Sequence, residues 1–132
     1  MFVDTSVIVA ILAREPDAGR FAEKIAEASS CCTSGLVVLE AAMRLSTMFD
    51  IDPRTAEACI QTALDEARIT IIPIDGSIAK KAVAAFAAFG KGRGHPARLN
   101  LADCMSYACA RAYHVPLLFK GADFAHTDIE AA

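Results

Sequence analysis

The sequence predicts a single α/β domain, residues 1–132, in which helices flank a central parallel β-sheet. A chain of 132 residues with 55% hydrophobic residues is long enough to bury one core of ordinary size. Short apolar runs alternate along the chain with longer segments whose apolar residues recur at helical spacing. Strands that alternate with helices are typical of parallel sheets. No repeat, linker or low-complexity tract divides the chain.

The first half of the chain predicts two strands and four helices. Pro16 suits the first turn of the second helix, and the Asp50–Pro53 turn separates the third helix from the fourth. The predicted strands are Met1–Val3 and Cys31–Ser34, and the predicted helices are Val7–Ala13, one from Pro16 to about Ser29, Leu36–Met48, and one through Ala56–Ala67.

The second half predicts two or three more strands, giving a sheet of four to five. Ile69–Ile74 is the clearest strand, because it is rich in β-branched residues and apolar throughout, as a buried parallel strand should be. The other predicted elements are a helix from Asp75 or Ser77 to Phe89, a helix capped by Asn100 that runs to about Tyr113, a strand at Val115–Phe119, and an edge strand near Thr127–Ile129.

Charge and cysteine usage limit the classes of function. The formal net charge of −3 gives no overall attraction to nucleic acid, so phosphate binding would need a local basic patch or bound cations. Five cysteines without a C-x-x-C pair, and an N-terminus without signal-peptide features, predict reduced thiols in the cytoplasm. No apolar run reaches the roughly 18 residues that cross a bilayer, so we expect no membrane association.

Four acidic residues are expected to meet at one edge of the sheet. Asp4 directly follows the first strand and Asp123 follows the last, and ligands of open α/β sheets bind at the carboxyl ends of strands. Glu40 lies in a helix that is apolar nearly all round, and Asp103 lies at the third position of its helix. Each also has a purely structural interpretation: a helix N-cap for Asp4, an i,i+4 pair with Arg44 for Glu40, a capping box with Asn100 for Asp103, and a turn for Asp123.

A cluster of carboxylates indicates metal-dependent chemistry. Like charges a few ångströms apart raise one another's pKa unless cations are present. Mg²⁺ and Mn²⁺ prefer oxygen ligands, and such an ion polarises a phosphoryl oxygen and lowers the pKa of bound water. The carboxylates therefore predict hydrolysis of phosphodiester bonds.

A glycine-rich basic loop precedes Asp103. Its cations Lys91, Arg93 and Arg98 are candidates for contacts to RNA phosphates, although a solvated loop would have the same composition. The loop is not a Walker A motif, because the G-K-[ST] ending is absent. His95 and His114 have no partner at metal-ligand spacing. His126 is near Asp123 in sequence, where a contact to substrate is one interpretation, but we expect an ordinary surface histidine.

Four segments together resemble the PIN domain, and in particular the VapC-type toxins of bacterial toxin–antitoxin pairs. They are V-D-T-S with Asp4, V-V-L-E-A with Glu40, the run from F-G-K-G-R to L-N-L-A-D-C with Asp103, and L-L-F-K-G-A-D-F with Asp123. The resemblance covers essentially the whole chain. It implies a PIN-like three-layer fold with a central parallel sheet of four to five strands.

The resemblance also implies a function. Asp4, Glu40 and Asp103 would be the core ligands of Mg²⁺ or Mn²⁺, with Asp123 as a fourth, more variable acid. A hydroxyl of Thr5 or Ser6, with Ser6 slightly favoured, would orient water or a ligand. The substrate would be tRNA, rRNA or mRNA, cut to leave 5′-phosphate and 3′-hydroxyl ends. A VapB-type antitoxin would inhibit the enzyme, and we expect a homodimer or a higher toxin–antitoxin assembly, with the helix hairpin 35–67 as the candidate surface for partner and dimer contacts.

Two departures and several alternatives remain at this point. Ala102 stands where close family members often have glycine, and Gly94 is an extra glycine in the basic loop relative to the family pattern. A housekeeping RNA-processing nuclease without an antitoxin is the alternative within the family. Outside it, Asp4, Asp75 and Lys120 superficially resemble the acid-plus-lysine pattern of a phosphoacceptor receiver domain. A pure binding module with an inactive acidic pocket is a third class.

Overall fold

The computed structural model describes residues 1–132, and its four strands form one parallel sheet. The strand order is β3-β2-β1-β4, with Phe2 opposite both Cys32 and Leu117. Six helices flank this sheet. The elements in chain order are β1 (Phe2–Val3), α1 (Thr5–Leu12), α2 (Ala18–Glu27), β2 (Cys31–Ser34), α3 (Gly35–Phe49), α4 (Pro53–Glu66), β3 (Ile69–Ile72), α5 (Gly76–Phe89), α6 (Leu101–Ala112) and β4 (Leu117–Leu118).

The predicted α/β class with a parallel sheet is confirmed, and one continuous core fixes the sheet's central strands. Thirty-one buried hydrophobic residues form that core. Phe2 and Val3 of β1 and Leu117 of β4 have no exposed surface, and α6 packs against both strands. The central strand therefore provides a rigid base for whatever follows its carboxyl end.

Two strand predictions are wrong in detail. We expected Ile69–Ile74 to be buried throughout, but β3 is an edge strand that ends before Pro73, and the side chain of Ile71 is 41% exposed. The expected edge strand at 127–129 does not form. Instead residues 120–128 form turns and bends, and Leu117 pairs with Ala131 in a single parallel bridge.

Side chains that cap helix N-termini set where the helices near the candidate site begin. Asp4 caps α1, which starts at Thr5 rather than at the predicted Val7. Ser34 caps α3, and Asn100 caps α6. A polar residue at the end of a strand therefore ends the strand and starts the helix at once.

Helix α3 is less buried than its apolar sequence predicts. Val37, Ala41 and Leu45 face the core, but Leu39 and Met43 are more than half exposed. Together with Met48 and Phe49 near the helix end, they leave apolar surface open on the α3–α4 hairpin.

The cysteines are free thiols, as predicted. Burial raises the pKa of Cys31, Cys32 and Cys104, and raises the pKa of Cys109 to about 11, so these thiols stay protonated at neutral pH. No helix is both long enough and apolar enough to cross a membrane.

Candidate active site

Asp4 lies at the carboxyl end of the central strand β1 and is 6% exposed. Its Oδ2 accepts hydrogen bonds from the backbone N–H of Ser6 (3.0 Å) and from Ser6 Oγ (2.6 Å). Its Oδ1 accepts one from Ser106 Oγ at 2.8 Å. Asp4 is thus a helix cap, as one interpretation predicted. A cap requires only the hydrogen bond from the backbone N–H of Ser6, however, and Asp4 also accepts two from hydroxyl groups. The two hydroxyls hold the carboxylate in one orientation.

Glu40 reaches the same edge from α3. Its Oε2 accepts a hydrogen bond from Thr5 Oγ1 at 2.6 Å, which links the first turn of α1 to α3. The alternative ion pair with Arg44 does not form, since the salt bridges of the structure involve other residues and Arg44 is exposed. Glu40 is therefore directed towards the strand ends and not along its own helix.

Asp103 caps its helix as the structural interpretation predicts, and it also lies near the other three acids. It forms the predicted capping box with Asn100, in which the backbone N–H of Asn100 donates to Asp103 Oδ2 (2.9 Å) and the backbone N–H of Asp103 donates to Asn100 Oδ1 (3.0 Å). Burial, joined by the charges of Asp4, Asp123 and Glu40 and opposed by the backbone hydrogen bond from Asn100, raises the pKa of the Asp103 carboxyl to about 6. The role of a helix cap does not require three other acids close enough to raise the pKa of the capping residue.

Asp123 occupies an exposed turn after β4 and accepts no hydrogen bond. It is nevertheless close enough to raise the pKa of Asp103. The structure thus brings together all four acids that the sequence singled out. They come from four separate segments: the end of β1, α3, the start of α6 and the turn after β4.

The two hydroxyls of the V-D-T-S segment have different partners. Thr5 binds Glu40, whereas Ser6 donates to Asp4 and accepts a hydrogen bond from the backbone N–H of Lys120 at 2.9 Å. Both therefore position a carboxylate, and each secures a different one. Ser6 also ties the end of β4 to the start of α1.

Ser106 was missed by the sequence analysis. It is 1% exposed and donates to Asp4 across 102 residues of chain. The signal that points to it is its position three residues after Asp103, which places both on one face of α6. Serine in a helix interior is common enough that this spacing alone would not have identified it.

The basic loop is held in place although its cations are exposed. The backbone N–H of Lys91 donates to the carbonyl of Leu99 and that of Leu99 to the carbonyl of Phe89, both at 2.9 Å. A Cβ on Gly90 would overlap the backbone and ring of Phe86, so this position requires glycine. The side chains of the three predicted RNA-binding residues, Lys91, Arg93 and Arg98, are solvent-exposed. The backbone is therefore fixed at the base of the loop, and its cations face solvent, so the RNA-binding role stays a prediction.

The residues of the receiver-domain alternative do not assemble. Asp75 caps α5 beyond the edge strand β3, away from the central strand. The Nζ of Lys120 binds Glu15 and Asp17, with 2.9 Å to Asp17, and therefore forms no ion pair with Asp4.

The comparisons with known proteins agree with this geometry. The family model described as PIN domain matches residues 1–130. The chain belongs to the PIN-domain family. It is 42% identical over 132 residues to Ribonuclease VapC28 of Mycobacterium tuberculosis, covering 100% of this chain and 97% of that protein. It is 40% identical over 129 residues to Ribonuclease VapC30 of the same organism, covering 98% and 95%. The predicted resemblance to VapC-type PIN domains is confirmed.

A solved structure supports the fold independently. A toxin–antitoxin complex from Klebsiella pneumoniae matches with a TM-score of 0.72 at 20% identity, covering 96% of this chain and 92% of that one. At that identity the match concerns the fold alone. It shows that this PIN domain has the same overall fold as that protein.

The carboxylates of this PIN domain suit a divalent cation that keeps part of its water shell. No three acidic, histidine or cysteine side chains lie close enough together to hold a metal ion by themselves. However, Asp103 Oδ1 and Glu40 Oε1 have no hydrogen-bond partner in the protein, and no buried polar side-chain atom lacks one, so both oxygens reach solvent. Mg²⁺ usually keeps several waters and uses one or two carboxylates plus substrate phosphates. An open set of oxygens suits such an ion.

Proposed function

We propose that this PIN domain is an endoribonuclease that depends on Mg²⁺ or Mn²⁺ and acts in the cytoplasm as the toxin of a toxin–antitoxin pair. The observation that carries the proposal is the position of Asp103 beside three other carboxylates: burial first, and then the charges of Asp4, Asp123 and Glu40, raise its pKa to about 6. Its relatives at about 40% identity are named ribonucleases. A cluster of carboxylates of this kind favours cations and, through them, phosphate groups.

In the proposed site, Asp4, Glu40 and Asp103 hold the cation, with Asp123 as the fourth and more exposed acid. A bound Mg²⁺ or Mn²⁺ polarises a phosphoryl oxygen and lowers the pKa of a water molecule. The chain's own contribution is preorganisation: Thr5 fixes the Glu40 carboxylate, and Ser6 fixes that of Asp4. Fixed carboxylates avoid the reorganisation that solvent dipoles would require during the reaction.

RNA would be held by the basic loop. Lys91, Arg93 and Arg98 are exposed on a loop that leads directly into α6, the helix that begins next to Asp103. Their charges compensate locally for the net charge of −3. Contacts to phosphates position a strand without reading its sequence, so the choice among tRNA, rRNA and mRNA must depend on other contacts.

Pairing with an antitoxin, of the VapB type, is the regulatory part of the proposal. The named VapC relatives support it, and so does the apolar surface that Leu39, Met43, Met48 and Phe49 expose on the α3–α4 hairpin. We propose this hairpin as the surface for the antitoxin or for a second copy of the chain. No observation favours the housekeeping alternative.

The first experiment measures cleavage of total bacterial RNA by the purified protein with Mg²⁺, with Mn²⁺ and with EDTA. We expect discrete fragments with 5′-phosphate ends that disappear with EDTA. Asp4→Asn should abolish the fragments, whereas Glu57→Gln, an exposed acid on α4, should leave them unchanged. Intact RNA in every condition with the antitoxin-free wild type would overturn the nuclease proposal.

A second readout separates the toxin from a housekeeping enzyme. Induced expression in a bacterial host should stop growth, and Asp4→Asn should restore it. RNA cleavage in vitro without growth arrest would instead support an RNA-processing nuclease that needs no antitoxin.

A further inference from the structure

We propose that Ser106 is a positioning residue that fixes the Asp4 carboxylate in the orientation used for cation binding. This inference rests on the proposed function, since it concerns the same acid. Ser106 lies outside the four sequence segments that resemble the PIN domain. Its proposed role follows from one hydrogen bond, the one that it donates to Asp4. Its Oγ donates to Asp4 Oδ1 at 2.8 Å in a fully buried environment.

The hydrogen bonds of Asp4 leave its carboxylate little freedom. An ionised carboxylate offers about four acceptor positions, and three of them are occupied by the N–H of Ser6, the Oγ of Ser6 and the Oγ of Ser106. The two contacts from Ser6 both reach Oδ2. Ser106 alone binds Oδ1, and one acceptor position of that oxygen remains for a further ligand.

Ser106 is the contact that controls rotation of the carboxylate. The terminal torsion of aspartate is broad and has no sharp rotamer of its own, so the hydrogen bonds decide the plane of the two oxygens. With Oδ2 held by Ser6 and Oδ1 held by Ser106, this plane is fixed at both ends. Without Ser106, the carboxylate would pivot about the Ser6 contacts.

The same contact links two of the proposed ligands. Ser106 and Asp103 lie on one face of α6, three residues apart, whereas Asp4 follows β1. The hydrogen bond therefore ties the helix that carries Asp103 to the strand end that carries Asp4. Loss of this bond would loosen both the orientation of Asp4 and its spacing from Asp103.

A merely structural role would not require this partner. A buried serine in a helix commonly satisfies its hydroxyl with a carbonyl of the preceding turn of its own helix. Ser106 instead donates to a carboxylate 102 residues away. Such outer contacts, which orient a ligand without binding the ion, are worth about 10-fold to 100-fold in metal affinity or activity.

The first test is a crystal structure of the metal-free Ser106→Ala variant. We expect the Asp4 carboxylate to turn out of the wild-type plane while the backbone of β1 and α6 stays in place. An unchanged carboxylate would overturn the inference, whatever the nuclease assays show. This result is independent of the proposed function.

The second test titrates Mn²⁺ into the wild type and variants by calorimetry. Ser106→Ala should raise the dissociation constant of Mn²⁺ by about 10-fold or more, and Ser106→Cys, which keeps the size and a weak donor, should fall between the two. Thr33→Val is the matched control, since it removes another fully buried hydroxyl, one that donates to the Val3 carbonyl, and should leave the Mn²⁺ affinity unchanged. Equal affinities for the wild type and Ser106→Ala would overturn the positioning role.

Activity gives a final distinction. Because Ser106 is buried and cannot touch RNA, Ser106→Ala should lower kcat at a fixed, subsaturating Mn²⁺ concentration with little change in KM for RNA. Excess Mn²⁺ should restore part of the loss. If the wild type binds Mn²⁺ but cleaves no RNA, the proposed function fails while the first two tests still decide the role of Ser106.

Discussion

The carboxyl ends of the neighbouring strands β1 and β4 differ sharply, although each is followed by an aspartate of the proposed site. Asp4, after β1, is buried and accepts three hydrogen bonds. Asp123, after β4, is exposed in a turn and accepts none. The difference teaches that the position at a strand end brings an acid to the carboxyl edge of the sheet, but neighbouring hydroxyls decide how rigidly it is held.

The reason lies in what surrounds each strand end. β1 is central and its end meets the first turn of α1 and the middle of α6. β4 has β1 on one side and only a single bridge to Ala131 on the other. The turn after β4 is secured at a distance from Asp123, by Tyr107, whose hydroxyl donates to Asp128 Oδ1 at 2.5 Å.

The largest expected effect compares alanine variants of the two aspartates. Asp4→Ala should abolish RNA cleavage and lower the free energy of unfolding by about 1–3 kcal/mol, because it removes the α1 cap and leaves the buried Ser106 hydroxyl without its partner. Asp123→Ala should reduce cleavage only in part and change stability by less than about 0.5 kcal/mol, as expected of an exposed side chain. Urea unfolding and RNA cleavage of both variants would measure the contrast. Equal losses of stability would show that the two strand ends are held alike.

A second prediction concerns Asp103, whose pKa is raised by the charges of both Asp4 and Asp123. Its folded pKa of about 6 lies above the ordinary value of 3.8, so its contribution to stability is present below about pH 4 and is lost as the pH rises to about 6. Asp103→Asn should therefore be inactive, yet more stable than the metal-free wild type at pH 8. The gain should be about 1–2 kcal/mol after allowing for the partial exposure of the group.

Thermal unfolding between pH 4 and pH 8 would measure this effect. The exposed acid Asp65 on α4 provides the control Asp65→Asn, which should follow the wild-type profile. Mn²⁺ should stabilise the wild type and do so much less for Asp103→Asn, because a ligand stabilises only the state that binds it. A variant that unfolds like the wild type at every pH would contradict the electrostatic argument.

The smallest expected effect sharpens the comparison on the β4 side. Tyr107→Phe removes the hydroxyl that binds Asp128, while it keeps the packing of the ring against Phe89. We expect a loss of about 1 kcal/mol in unfolding free energy, and a partial loss of cleavage that does not add to that of Asp123→Ala. Arg111→Ala, which removes only the exposed 3.7 Å ion pair to Asp128, is the control and should have little effect. Fully additive losses in the double variant would show that Tyr107 does not act through the turn that carries Asp123.

Several features could be predicted from the sequence because they depend on local patterns. The parallel α/β class, the caps at Asp4 and Asn100, and the segments that resemble the PIN domain are all recorded in short stretches of chain. Strand burial was harder to predict. The apolar run that begins at Ile69 has the composition of a central strand, but the order of the sheet places it at an edge.

The sequence by itself determined which four acids this PIN domain brings near one another, because each follows a strand or begins or lines a helix whose place in an alternating α/β chain is regular. Only the tertiary structure decided how each acid is held. Thr5 pairs with Glu40 rather than with Asp4, and Ser106 crosses 102 residues to reach Asp4. Hydrogen-bond partners are set by distances of a few tenths of an ångström between separate elements, and spacing along the chain does not encode such distances.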